Sequence, residues 1–196
     1  MKLILALGNP GAQYAFTRHN FGWLVADAFV KINPDFSGWQ ENDRFKAALS
    51  EGQINNEKVI LAKPQTFMNL SGQAAQALSD FYRLGGADIF VLHDDLALAL
   101  GELRFSQNAS AAGHNGVSSI IQALGFQNFN RLRLGIKTPP GFFAKFFHRQ
   151  TPAEKFVVQK FSTAELKLAQ TTADRAAQAL KLALTQGLFA AQNEFN

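Results

Sequence analysis

Five consecutive apolar residues, Leu3-Ile4-Leu5-Ala6-Leu7, run straight into Gly8-Asn9-Pro10-Gly11. An apolar run of that length bounded by turn residues reads as a strand buried on both faces. Past the turn, Phe21, Leu24, Val25, Ala28, Phe29 and Ile32 recur at helical spacing, with Asp27 and Lys31 off that face, which predicts an amphipathic helix. Such a strand–loop–helix unit opens at the carboxyl edge of a sheet, where α/β proteins place ligands. The first element thus fixes both the fold class and the place to look for chemistry.

The rest of the pattern agrees. Strands are expected over Phe45–Ser50 and Lys58–Ala62, joined by a hairpin-like connection at Gly52–Asn56, with a loop over Lys63–Asn69. A helix follows from Ser71 to Leu84, stopped by Gly85-Gly86. A short buried strand, Ile89–Leu92, ends in His93-Asp94-Asp95, and a weaker strand signal covers Glu102–Ser106. Gly113-His114-Asn115-Gly116 opens a helix through Leu124, and Arg131–Ile136 alternates as an edge-type strand. Thr151-Pro152-Ala153-Glu154 and Ser162-Thr163-Ala164-Glu165 both have capping-box spacing. The second starts a long helix with Leu166, Ala169, Ala173, Ala176, Leu180 and Leu184 on one face. Strands alternating with helices predict an α/β fold: one domain over residues 1–196, a central, mixed, mostly parallel twisted sheet flanked by helices, and a helical C-terminus.

Composition narrows the class. At 47% hydrophobic and 17% charged residues the chain packs a core and is not disordered. No apolar run approaches the roughly 20 residues of a membrane span, and no signal peptide is visible. The absence of cysteine excludes disulfides and thiolate metal sites and fits a cytoplasmic protein. Charge is uneven. Between Arg131 and Lys160 stand seven basic residues against the single acid Glu154, interleaved with Phe142, Phe143, Phe146 and Phe147. That stretch reads either as a nucleic-acid footprint or as a solvated face with its phenylalanines turned inward.

Separate loops at strand ends and helix starts offer polar groups: Asn9 and His19, then Asn69, then Asp94, then His114 and Asn115. His19 stands where the first helix begins, and the positive end of the helix dipole there favours a neutral ring able to take a proton. A carboxylate on one ring nitrogen would fix the tautomer and leave the other free to activate water, while asparagines donate to an oxyanion or hold a substrate amide. That is a hydrolase without a covalent nucleophile. No serine sits in a G-x-S-x-G elbow, no G-x-G-x-x-G follows the first strand, and the histidine spacings match no usual zinc signature, so no metal is expected.

Taken together, Gly8-Asn9-Pro10-Gly11 with Tyr14 and Thr17-Arg18-His19-Asn20, Thr66-Phe67-Met68-Asn69-Leu70-Ser71-Gly72, His93-Asp94, Gly113-His114-Asn115-Gly116 and Arg131-Leu132-Arg133-Leu134-Gly135 resemble bacterial-type peptidyl-tRNA hydrolase, in the family's order. The resemblance implies hydrolysis of the ester joining a peptide, or an N-blocked amino acid, to the terminal ribose of tRNA. It implies no cofactor, tRNA as partner, no membrane and a monomer. His19 would be the base, Asp94 the group that keeps it basic, and Asn9 the reader of the peptide amide. Tyr14, Phe67, Asn69, His114 and Asn115 would line the site. Arg133 would contact acceptor-stem phosphate, with Arg131, Arg104, Lys145 and Arg149 as further phosphate contacts.

The chain departs from the family pattern in three places. Gln107-Asn108-Ala109-Ser110-Ala111-Ala112 replaces a glycine-rich loop, which narrows its conformations. Ser106 stands where a phosphate-clamping lysine is usual, and Lys137-Thr138-Pro139-Pro140 replaces a glycine-rich turn. Weaker or redistributed tRNA binding is expected from these changes. They also keep open an alternative, an RNA-binding protein of the same fold with weakened catalysis.

Overall fold

The computed structural model describes residues 1–138 and 152–196. Lys145, Arg149, the four phenylalanines between 142 and 147, and Thr151 of the first capping box lie outside the described residues. Strand β1 (Lys2–Ala6) is central. It pairs in parallel with β4 (Glu57–Pro64) on one side and with β5 (Ile89–Ala99) on the other. Beyond β4, β3 (Ala47–Ile54) and β2 (Gln40–Asn42) add antiparallel. Beyond β5, β7 (Asn130–Lys137) is parallel and β6 (Leu103–Gln107) closes the edge antiparallel. The order is β2-β3-β4-β1-β5-β7-β6.

Alternation along β1 feeds two cores. Ile4 and Ala6 face α1 (Phe21–Ile32), α5 (Thr163–Gln186) and α6 (Leu188–Phe195), whereas Leu3 and Leu5 face α2 (Ser71–Tyr82) and α3 (Asn115–Leu124). Each of these leucines and isoleucines is fully buried, a contribution of about 2 kcal/mol apiece. Helix α1 leaves β1 toward one face and α2 leaves β4 toward the other. The crevice beside the end of β1 is therefore the switch point at which doubly wound sheets bind ligands.

One glycine sets the depth of that crevice. A Cβ on Gly22 would stand 2.6 Å from the Leu92 carbonyl oxygen and 2.7 Å from that of Leu7. Only glycine lets the first turn of α1 rest on the end of β1 and on β5 at Leu92, with the preceding residues, Arg18–Asn20, forming a 3-10 turn just before it.

The structure revises several boundaries. The β3–β4 hairpin turns at Asn55-Asn56, both left-handed, so β3 runs through Gly52 instead of ending before it. β5 continues through His93-Asp94-Asp95 to Ala99, so these residues lie within a strand and not after one. β7 is an interior strand, not an edge: its alternating arginines face the site and the 107–113 loop, so they mimic a solvent face. The box at Ser162–Glu165 forms as expected, with the Glu165 amide donating to Ser162 Oγ and the Ser162 amide to Glu165 Oε2. The earlier helix, α4 (Ala153–Val157), begins after Pro152, one position later than expected. Two short elements, β2 and α6, carry no legible signal in the sequence. No helix among the described residues is long and apolar enough to cross a membrane.

Candidate active site

The parallel register aligns Ala6, Leu92 and Leu132 across β1, β5 and β7. β1 ends at that level, while β5 and β7 run on past it in the same direction. From β5 comes Asp94, buried to 2% exposure. From the turn before α1 comes His19, whose Nδ1 lies 2.8 Å from Asp94 Oδ1. From the start of α3 comes His114, whose Nε2 lies 3.0 Å from the same oxygen. Residues 75 and 20 positions away in sequence thus converge on one carboxylate.

The hydrogen bonds fix the tautomers. His114 Nδ1 accepts from the backbone N–H groups of Gly116 and Val117, capping α3. That nitrogen carries no proton, so Nε2–H donates to Asp94. Nδ1–H of His19 donates to the same Oδ1, which leaves His19 Nε2 with a lone pair. Burial by itself would raise the Asp94 pKa, but the His19 and His114 rings beside it, by charge when protonated and by hydrogen bond in either state, hold the carboxyl well below the usual carboxylate range. A ring held by an ionised carboxylate, with its other nitrogen free, can accept a proton as a general base.

Asn9 reaches the same edge from β1. Its Oδ1 accepts the Met68 backbone N–H at 2.7 Å, so Nδ2 is the atom available to a substrate. Its backbone is locked to the catalytic turn: Asn9 N–H donates to Asn20 Oδ1 and Asn20 Nδ2 donates to the Asn9 carbonyl, at 2.9 and 3.0 Å. Met68 is followed by exposed Asn69 and preceded by exposed Phe67, whose ring meets Tyr14 edge-on at 6.3 Å. On the other side of the dyad a cavity of about 550 Å³ is lined by His19, Asp94, His114, Asn115, the loop 109–113 and Arg133. Asn9, Tyr14, Phe67 and Asn69 do not line it.

The basic residues divide. Arg133 Nε donates to Asp95 Oδ2 at 2.7 Å, which aims the guanidinium along the cavity wall. Exposed Arg104 lies opposite it across the β6–β7 pair. Arg131 is 2% exposed and donates to the carbonyls of Ala109 and Ser110. Ser106 stands opposite Arg131, so a lysine there would meet a buried guanidinium.

Several contributors carry no local signal in the sequence. Arg18, next to His19, donates from Nη2 to both Glu165 carboxylate oxygens at 2.8 and 2.9 Å and from Nη1 to the carbonyls of Gln159 and Lys160. Phe156 and Phe161 cover its face. Asn20 is visible only as part of a motif. His93 donates its Nδ1–H to the Asp94 carbonyl, and its Nε2 has no partner among the described residues. Burial, and then nearby His114, push its pKa down to about 3. An unfolded histidine protonates near 6.5. His93 therefore stabilises the fold fully above about pH 6.5, and that contribution is lost as pH falls toward 3, by up to about 1.4 kcal/mol per pH unit. His93→Asn, which keeps a donor for the Asp94 carbonyl, is expected to flatten this part of the curve in urea unfolding at pH 7, 5 and 4. An unchanged slope would refute the assignment.

His19, Asp94 and His114 each offer one ligand atom within 4.8 Å of the others. Both imidazole N–H groups, however, already point into one oxygen, and a cation would have to displace both protons. The donor set suits a hydrogen-bonded base better than a metal.

A doubly wound sheet carrying a carboxylate-oriented histidine at its switch point, with asparagine amides around it, has the groups with which a hydrolase can activate water. The chain belongs to the peptidyl-tRNA hydrolase family, whose model it matches over residues 3–196. It is 42% identical over 196 residues to a peptidyl-tRNA hydrolase of Desulforamulus reducens, covering all of this chain and 89% of that one. It is 42% identical over 195 residues to one from Synechocystis, covering all of this chain and 95% of the relative. The solved structure of peptidyl-tRNA hydrolase from Acinetobacter baumannii superposes with a TM-score of 0.86 at 30% identity, covering 99% of this chain and 93% of that one.

Proposed function

We propose that the chain hydrolyses the ester between the 3′-terminal ribose of tRNA and a peptide or N-blocked amino acid. One observation carries the mechanism: the 2.8 Å contact between His19 Nδ1 and Asp94 Oδ1, which leaves Nε2 as acceptor. Water bound at Nε2 gives up a proton as its oxygen attacks the ester carbonyl. Asp94 stabilises the imidazolium, and side-chain amide donors from Asn9, Asn69 and Asn115 serve the oxyanion and the peptide. Collapse expels the ribose oxygen, which takes the proton back from His19, so free tRNA and free peptide result with no covalent intermediate.

Asn9 supplies the selection. With Oδ1 held by Met68, its Nδ2 can only donate. It therefore serves the carbonyl that an N-blocked substrate has and a free aminoacyl group lacks. Tyr14, Phe67 and His114 complete the walls. Arg133, already aimed by Asp95, and neighbouring Arg104 take acceptor-stem phosphate. Lys145 and Arg149 extend this basic track along the sequence. Action as a monomer belongs to the same reading, and a tRNA substrate together with a cysteine-free chain supports a cytoplasmic setting.

The test is deacylation of N-acetylaminoacyl-tRNA with free aminoacyl-tRNA as control. Turnover of the blocked substrate alone is expected, and His19→Ala should lower kcat by about 10²–10⁴. Tight RNA binding with no turnover, indifferent to His19→Ala, would overturn the enzymatic reading.

A further inference from the structure

We propose that Arg131 is a latch holding the 107–113 loop against the active site, a positioning residue for hydrolysis and not a contact for RNA phosphate. The proposal rests on the hydrolase reading above. Arg131 carries the charge expected of a phosphate ligand, yet it is among the largest fully buried side chains of the described residues. Its Nη1 donates to the Ser110 carbonyl at 2.7 Å and its Nη2 to the Ala109 carbonyl. The Phe129 ring lies against the guanidinium, 4.8 Å from centroid to Cζ. The two donors facing the loop are thus engaged and one face is covered, so a phosphate has no approach to them.

The held loop is the one that needs holding. Asn108, Ala112 and Gly113 all have left-handed backbone, with φ of 50°, 47° and 82°. At Ala112 the Cβ opposes that conformation. The chain therefore has neither the freedom of a glycine-rich loop nor a relaxed backbone in its place. Two adjacent carbonyls gripped by one planar fork supply the missing restraint, a geometry that arginine offers and lysine does not.

Its consequence reaches the chemistry within a few residues. Ala109 through Gly113 wall the cavity beside Asp94. The His114 amide donates to the Ala111 carbonyl at 2.9 Å, and the His114 ring donates to Asp94. A loop released from Arg131 loosens the wall and the residue that shares Asp94 with His19. Opposite Arg131, Ser106 leaves its own Oγ without a partner among the described residues. The small side chain there makes room for the latch.

The test is Arg131→Lys, which keeps the charge and removes the fork. With N-acetylaminoacyl-tRNA, kcat is expected to fall about tenfold while KM changes less than about twofold. In Arg131→Gln, which removes the charge, the slope of log KM against log salt should match wild type. In Arg131→Lys the backbone N–H order parameters over 108–113 should fall below about 0.6, with those of β1 and β5 unchanged near about 0.85. A raised KM with kcat kept in Arg131→Lys, or a salt slope reduced by about one in Arg131→Gln, would make Arg131 a phosphate contact and overturn the proposal. If Arg131→Lys does not fold, the wild-type chain decides the matter. Order parameters of the Ser110, Ala111 and Ala112 amides must lie near the rigid-backbone value of about 0.85, and values below about 0.6 would overturn the latch. Absence of turnover in wild type would instead fail the hydrolase reading, while the order parameters still judge the latch.

Discussion

Asp94→Asn is expected to lower kcat by about 10²–10⁴ while leaving the melting temperature within a few degrees of wild type. The carboxylate accepts from His19 Nδ1–H and His114 Nε2–H through a single oxygen. An asparagine that presents its oxygen keeps both hydrogen bonds but lacks the charge that stabilises an imidazolium. One that presents its NH₂ forces the His19 proton onto Nε2 and abolishes the base. Either way the rate falls. Stability has an opposing gain, because a buried charge is removed along with its desolvation. Single-turnover deacylation with thermal unfolding on the same preparation checks both halves, and a variant keeping more than about a tenth of wild-type kcat would contradict the dyad.

Arg18→Ala is expected to cost about 3 kcal/mol, because it breaks one partner out of a largely buried pair. Two carbonyls and the Glu165 carboxylate lose their donor. Glu165 is held below the ordinary carboxylate range. Burial opposes this, but the Ser162 amide and hydroxyl, the Thr138 hydroxyl and Arg18 more than offset it. Its stabilising effect is therefore present above the unfolded carboxylate pKa of about 4.3 and lost as pH falls through the folded value. Arg18→Ala should shrink that acid-side loss. Because His19 is the next residue, kcat should fall as well. A double-mutant cycle with Glu165→Gln isolates the coupling; full additivity would show that the pair does not act as a unit.

Much of this is legible in the sequence where function follows local order. Leu3–Leu7, the glycine–proline turn and the α1 periodicity place His19 at a strand-to-helix junction, and the carboxyl-edge rule then brings Asp94, His114 and Asn9 near it. The illegible part depends on partners distant in sequence. Arg18 and Glu165 are 147 positions apart, and nothing local marks either as paired. Arg131 and Arg133 alternate as a solvated strand would, yet one is buried and the other tied to Asp95. β5 outruns its expected end because His93, Asp94 and Asp95 are polar for the sake of the site, and a polar run is indistinguishable from a loop until its neighbours are known.

The cap that His114 places on α3 also determines where a proton can travel. Its Nδ1 is occupied by the Gly116 and Val117 amides, and its Nε2 already bears a hydrogen directed at Asp94. The row His19–Asp94–His114 is therefore a cul-de-sac and not a wire. On the proposed mechanism a proton collected from water has one way out, back through Nε2 of His19 to the departing ribose oxygen, so each cycle would end with the catalyst in the ionisation state in which it began.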